Sequence, residues 1–345
     1  MLLWVPHKTR CNDMKTKPVN MNIELTTRCP LNCPQCYCDL NTGKDIEPQV
    51  AKYWISEAAK NGVESIYLSG GETLCYPYLF EVLAEACKVC ANVNMAISGY
   101  GFTQDVFEKI KAVGINGLSV SLNGSTNEIN SLTRDGYSLA IKALSLLHDN
   151  DYPHTILNWV MHSNNCDDFP NVVAIAEQYK VSQIIVFGFK PDKHHELNTQ
   201  PTYTQMKQVA NFIKSYRGTV KINVESCYSP LLAIASETPI FGNLNVGVNK
   251  GCLAGISRFS ISVDGKLSPC RHLDLYEDHA SLEEYWSNSR ILDEIRKMHE
   301  SKELPCAGCH YEKYCRPCLA VEHKINGSFY AGNRLCPVAA EKVEL

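Results

Sequence analysis

The stretch Asn22-Ile-Glu-Leu-Thr-Thr-Arg-Cys29-Pro-Leu-Asn-Cys33-Pro-Gln-Cys36-Tyr-Cys38 decides how the rest of the chain is read. A short β-branched run leads into a loop carrying Cys29, Cys33 and Cys36 at C-x3-C-x2-C spacing. Three thiolates on one tight loop can hold three irons of a cubane [4Fe-4S] cluster, whose complete ligation takes four cysteines, so one iron is left open. A three-cysteine zinc site is the alternative, although zinc loops usually pair two separated C-x2-C knuckles. A disulfide framework is disfavoured, because such short spacings close badly.

The chain around this loop has 345 residues, enough for one large domain with an appendage or for two domains. A hydrophobic content of 45% supports a sizeable core. The net charge of −4, with both signs dispersed, offers no footprint for nucleic acid or an anionic membrane. No apolar run is long enough to span a bilayer, and the opening Met-Leu-Leu-Trp-Val-Pro is too short for a signal-peptide core. A cytoplasmic protein is expected. Its 17 cysteines are unevenly spread, with three in the opening loop and seven between Cys252 and Cys336. Iron-sulfur clusters account for that clustering more economically than disulfides in a chain of this length.

Up to about residue 225, strand-like and helix-like segments alternate. Strands are expected at 20–25, 63–68, 92–97, 116–122, 154–161, 182–187 and 219–225, and helices at 48–61, 77–91, 103–113, 137–150, 168–179 and 202–217. Gly62, Gly114 and Gly218 stand where helix C-caps are expected. Repeated strand–helix units imply a parallel sheet with right-handed crossovers, either a barrel or a doubly wound sheet.

The cysteine loop resembles the signature of the radical S-adenosylmethionine (radical SAM) enzymes. In that family the open iron chelates the methionine end of SAM, and the reduced cluster splits the sulfonium to give a 5′-deoxyadenosyl radical that abstracts a substrate hydrogen. The family often has an aromatic residue before the third cysteine; here that residue is Gln35, and Tyr37 on the other side of Cys36 takes over as the aromatic cover. The resemblance selects a partial (β/α)6 TIM barrel, in which chemistry collects at the C-terminal strand ends. It implies SAM contacts residue by residue. Gly70, Gly71 and Glu72 in Ser69-Gly-Gly-Glu-Thr73 resemble the motif that binds SAM's amino group, with Thr73 in place of the usual proline. Ser98 resembles the segment meeting the ribose and adenosine. Ser121 and Asn123 close the fourth strand, where the family often has Asp at the place of Asn123. Arg134, in Thr133-Arg-Asp-Gly136, resembles the arginine that pairs with SAM's carboxylate, a task its bidentate fork suits.

Downstream, His194-His195 lie in a polar loop without partner ligands at metal spacing, so a solvated loop is the better reading. From Cys252 the pattern is C-x12-G-x4-C to Cys270, through a hairpin signal at Asp264-Gly265. Two helix-like segments near 281–300 follow. Cys306, Cys309, Cys315 and Cys318 then run C-x2-C-x5-C-x2-C, with Cys336 17 residues on. This resembles the SPASM extension of radical SAM peptide-maturing enzymes, except that only Arg316 and Pro317 separate Cys315 from Cys318 where three residues are usual. The resemblance implies two auxiliary clusters. Cys252, Cys270 and Cys318 would hold the first, with an open or unusual fourth ligand. Cys306, Cys309, Cys315 and Cys336 would hold the second. Two zinc knuckles are the alternative for this region. Of the other cysteines (Cys11, Cys38, Cys75, Cys87, Cys90, Cys166 and Cys227), buried packing is the default. Cys227, ending a late strand, is the candidate for a hydrogen donor to a substrate radical or for a cluster ligand.

The domain organisation expected is a radical SAM core over 1–225, a bridging segment over 226–251 and a SPASM domain over 252–345. The resemblance implies three [4Fe-4S] clusters, SAM and a flavodoxin- or ferredoxin-type reductant. The function it ranks first is crosslinking of a ribosomally made precursor peptide by a thioether or carbon–carbon bond. Peptide epimerisation ranks second, with haem-type or sulfatase chemistry behind, and a non-catalytic iron-sulfur carrier is the reading of another class. About twenty residues precede the cysteine loop, so any leader recognition is expected from a separate protein or from the barrel and hairpin surface.

Overall fold

The computed structural model describes residues 17–38, 42–190, 199–237, 251–301, 303–312, 315–316, 318–330, 336 and 338. Cys11, His194 and His195 lie outside the described residues. Within them run nine strands: β1 Asn20–Glu24, β2 Ser65–Ser69, β3 Val93–Ile97, β4 Gly117–Ser121, β5 Thr155–Met161, β6 Gln183–Gly188, β7 Lys221–Val224, β8 Arg258–Ile261 and β9 Leu267–Ser268. They form one sheet in the order β7-β6-β5-β4-β3-β2-β1-β8-β9, parallel throughout except for the antiparallel β8–β9 pair.

That order settles the choice between barrel and doubly wound sheet. From β1 to β7 each strand lies beside its predecessor, with no reversal. Right-handed crossovers then all fall on one face, where a doubly wound sheet would need a switch point. Met21 and Ile23 of β1 are buried, as are Ile66 and Leu68 of β2. Asn22, Tyr67 and Asn94 are in register across β1, β2 and β3 and give the opposite face its polar character. The sheet is the open, partial barrel expected from the sequence.

Local chemistry sets the helix ends. Thr103 caps the helix Gln104–Val113, which stops at Gly114 in the left-handed region (φ 79°). Thr202 and Gln205 form a capping box on Tyr203–Ser215. Gly218 does not cap that helix: the chain turns extended at Tyr216, two residues earlier. Gly218 instead leaves room for a hydrogen bond from the Tyr216 hydroxyl to Glu177 (2.6 Å), which an added Cβ would strike.

The C-terminal hairpin is not a separate layer. β8 pairs in parallel with β1, so the hairpin extends the barrel sheet beyond its first strand. The Trp54 indole donates to the Gly265 carbonyl (2.9 Å), and Glu57 accepts from the Leu282 N–H (3.1 Å). The helices Leu282–Asn288 and Arg290–Glu300 stand where two helical segments are expected. The helices Ser229–Ala235 and Leu319–Asn326 have no counterpart in the sequence reading.

Candidate active site

The cysteine loop leaves the C-terminal end of β1 and is fastened from beneath by Thr26. Its hydroxyl donates to Asp45 (2.6 Å) and accepts the Arg28 N–H (3.0 Å), while Arg28 pairs with Asp45 (3.1 Å). The turn after β2 docks on the same segment: Gly71 N–H donates to the Thr26 carbonyl (2.7 Å) and Glu72 N–H to that of Arg28 (2.8 Å). A Cβ on Gly70 would lie 2.5 Å from the Thr26 carbonyl oxygen, and one on Gly71 2.5 Å from that of Arg28. The two glycines therefore allow backbone to meet backbone where the cysteine loop begins.

Cys29, Cys33 and Cys36 are half-buried and line one cavity of about 220 Å³. Gly70, Gly71, Ser98, Ser121 and Arg134 line it too, so five of the expected SAM contacts converge there. The hydrogen bond to Cys38, together with Arg134 and Arg271, draws the Cys36 thiol down to about 6. Burial pushes Cys29 up to about 11, with Glu72 and the two other cysteines adding to the rise. One loop thus carries thiols of very different acidity, and binding a metal as thiolates would level them.

Glu72 and Asn123 are buried and are not among the cavity-lining residues. The Glu72 carboxylate accepts from the N–H (2.7 Å) and hydroxyl of Ser98 and from Leu74 N–H (3.1 Å). Burial raises its pKa against those hydrogen bonds. Asn123 donates to Gln35 (2.8 Å) and Thr133 (2.9 Å) and accepts Val160 N–H (3.0 Å). The Gln35 side chain also meets His162 Nε2 at 2.6 Å, and Gln35 N–H donates to the Thr133 carbonyl. Gln35 is therefore the polar key that locks the cysteine loop to β4 and β5.

Among the cavity residues that the sequence did not single out are Lys190, Arg271 and His272. Arg271 and His272 directly follow Cys270, and the hairpin's return to the sheet carries them to the cysteine loop. The His272 ring packs edge-on against Tyr37 (4.3 Å between centroids), and the Arg271 guanidinium lies 4.7 Å from the Tyr37 ring centre. Tyr37 is thus covered by the C-terminal segment. Lys190 forms a buried ion pair with Glu225. Burial alone would discharge it, but Glu225 more than offsets that and holds the ammonium charged.

The C-terminal cysteines gather in two places. Cys315 is pushed up to about 12 by burial and by the neighbouring Cys336, Cys306 and Cys309. Cys252 is likewise raised to about 12 by burial, then by Cys227 and Cys270. Cys318 lies beside Cys227. Among the described residues no group of three His, Cys, Asp or Glu side chains converges on a single-ion site. Cys90 packs at its helix end as expected, its thiol facing the Glu64 carbonyl (3.4 Å).

Residues 23–176 match the model of the radical SAM superfamily. The chain is similar to the AdoMet-dependent heme synthase of Methanosarcina barkeri, 24% identical over 333 residues that cover 91% of this chain and 94% of that one. It is also similar to the PqqA peptide cyclase of Bradyrhizobium diazoefficiens, 24% identical over 317 residues, 86% of this chain and 80% of that one. Among solved structures, Streptococcus suis SuiB bound to its precursor peptide SuiA has a TM-score of 0.79 at 16% identity, covering 93% and 76% of the two chains. Native anSMEcpe with bound AdoMet has a TM-score of 0.71, also at 16% identity, covering 94% and 95%. These structural likenesses establish a common fold.

Proposed function

We propose that the chain is a radical SAM enzyme, as the match of residues 23–176 to that superfamily's model supports, and that it modifies a ribosomally made peptide. One observation carries the proposal. The cysteine loop, the two-glycine turn and the C-terminal Arg271-His272 line the same cavity, which supports one chamber shared by SAM and a substrate that the C-terminal segment reaches. The similarity to the PqqA peptide cyclase over 86% of the chain supports a peptide substrate.

A cluster with SAM bound at this loop would supply hydrogen-atom abstraction from an unactivated carbon. The chain's own residues divide the task of holding and aiming these groups. Cys29, Cys33 and Cys36, half-buried on one cavity wall, would ligate the cluster. The Gly70-Gly71 backbone admits the methionine end of SAM, Arg134 pairs with its carboxylate, and Ser121 lines its path. Glu72 acts one step back, fixing Ser98 at the cavity wall, and Asn123 fixes Gln35. Arg271 and His272 line the cavity from the C-terminal segment, and Lys190 lines it while paired with Glu225. Cys252, Cys270 and Cys318 would hold one auxiliary cluster and Cys306, Cys309, Cys315 and Cys336 another, making three [4Fe-4S] centres. Electrons would enter from a flavodoxin- or ferredoxin-type partner, and the peptide leader would be recognised by a separate protein or by the barrel and hairpin surface. The domain boundaries proposed are those of a core to residue 225, a bridge to 251 and a SPASM region beyond. Among the described residues no helix is long and apolar enough to cross a membrane.

A second reading, oxidation of a tetrapyrrole side chain, is favoured by the similarity to the heme synthase across 91% of the chain. Arg271 at the cavity wall would then meet a propionate carboxylate. Incubation of reconstituted protein with SAM, a reductant and a candidate precursor peptide separates the readings. A peptide lighter by two hydrogens supports crosslinking, whereas unchanged mass with an inverted stereocentre means epimerisation. Turnover of a tetrapyrrole with no change in any peptide overturns the peptide assignment.

A further inference from the structure

We infer that Cys227 is the fourth protein ligand of the cluster held by Cys252, Cys270 and Cys318, closing that cluster and tying the last barrel strand to the C-terminal hairpin. The inference rests on the auxiliary-cluster reading above and adds the ligand that reading leaves unassigned. β7 ends at Val224, and the chain turns at once into the helix Ser229–Ala235, whose second residue is Pro230. Glu225 N–H still bonds back to the Val186 carbonyl (2.9 Å), and Tyr228 N–H to that of Glu225 (2.9 Å). Tyr228 is fully buried, with its hydroxyl donating to the Phe189 carbonyl (3.1 Å). Cys227 is therefore held rigidly in the turn between strand and helix.

Its neighbours are not those of a packing cysteine. Its thiol lies beside that of Cys318, and Cys252 and Cys270 lie within electrostatic reach. The segment carrying Cys252 runs against the loop before Cys318: a Cβ on Gly251 would sit 2.4 Å from the Arg316 carbonyl oxygen. Cys252 also accepts the N–H of Leu319, the residue after Cys318. Cys227, Cys252 and Cys318 are each less than a tenth exposed. Lys190 and Arg258 face the group and supply positive charge to a set of thiolates. Four thiols from four separate segments match the four cysteines of a fully ligated cubane. Cys227 is buried and does not line the cavity that holds the cysteine loop. A cluster closed in this way has no open iron for substrate and can only pass electrons.

The test uses the full chain bearing Cys29→Ala, Cys33→Ala and Cys36→Ala, reconstituted anaerobically so that auxiliary centres alone remain. We expect about eight irons and eight sulfides per chain, two cubanes. The reduced protein's electron paramagnetic resonance should be unmoved by excess imidazole. Adding Cys227→Ser should either remove about four irons or shift one signal and make it imidazole-sensitive, while Cys90→Ala changes neither. Iron, sulfide and spectrum identical with and without Cys227 would overturn the assignment and leave the auxiliary clusters standing. An imidazole-induced shift with Cys227 intact also overturns it, independently of how the variant folds. If the parent variant binds no iron or sulfide, the auxiliary-cluster reading falls as well.

Discussion

Glu72 shows what single residues decide here. Its buried carboxylate collects two donors from Ser98 and one from Leu74. Glu72→Ala strands those groups, and a buried donor left unmade costs about 1–3 kcal/mol. Glu72→Ala should therefore lower the midpoint of thermal unfolding as well as SAM turnover, whereas a residue touching only SAM would lower turnover alone. Differential scanning calorimetry of the iron-free chain checks this. Arg134, at the cavity wall, is the contrasting case: Arg134→Ala should leave the midpoint unchanged and raise KM for SAM by about tenfold or more, the loss of a charge-assisted hydrogen bond. The sequence made Gly70, Gly71, Ser98, Ser121 and Arg134 legible because motif position suffices to bring them to one place. The structure adds that the buried Glu72 and Asn123 side chains bond to Ser98 and Gln35. That depends on which neighbouring donors lie in reach, a matter of three-dimensional packing.

At the scale of elements, the turn after β2 and the cysteine loop behave as one unit, because Gly71 and Glu72 bond directly to Thr26 and Arg28. Gly71→Ala would press a methyl group against the Arg28 carbonyl and should lower cluster iron markedly. Gly62→Ala meets nothing within 4 Å and should cost only the left-handed strain of about 1–2 kcal/mol, with iron content unchanged. Iron analysis of the two variants makes the comparison. The helix Arg290–Glu300 carries a pH dependence through His299. Burial, aided by Arg316, lowers its pKa to about 3, and its Nε2 has no hydrogen-bond partner among the described residues. The unfolded chain binds this proton more readily than the folded one, so the contribution to stability is complete above about pH 6.5 and is lost as pH falls toward 3. Denaturant unfolding of the iron-free chain between about pH 7 and about pH 5 should weaken on acidification, and His299→Gln should flatten the slope. Every expected barrel strand and helix is present to within a few residues, since period-two and period-3.6 patterns are local. Gly218 was misread because a glycine after a helix is a cap only if the helix reaches it, and Tyr216 ends this one early.

The whole molecule is bound together by a pairing that spans most of the chain. β8 lies beside β1, so residues after 251 complete the sheet edge from which the cysteine loop springs. Ending the chain at residue 251 would expose β1 as an unpaired edge, and such a chain should aggregate, measurable by light scattering. No local pattern could have announced this pairing, since strands so distant in sequence meet only through the complete fold. The same pairing places Arg271 and His272 over Tyr37, beside the cysteine loop. The most direct measurement is of SAM itself, incubated under anaerobic conditions with the iron-loaded protein and dithionite. Formation of 5′-deoxyadenosine, abolished by Cys36→Ala, is the expected result. Intact SAM beside a fully loaded N-terminal cluster would contradict the assignment of this chain as a radical enzyme.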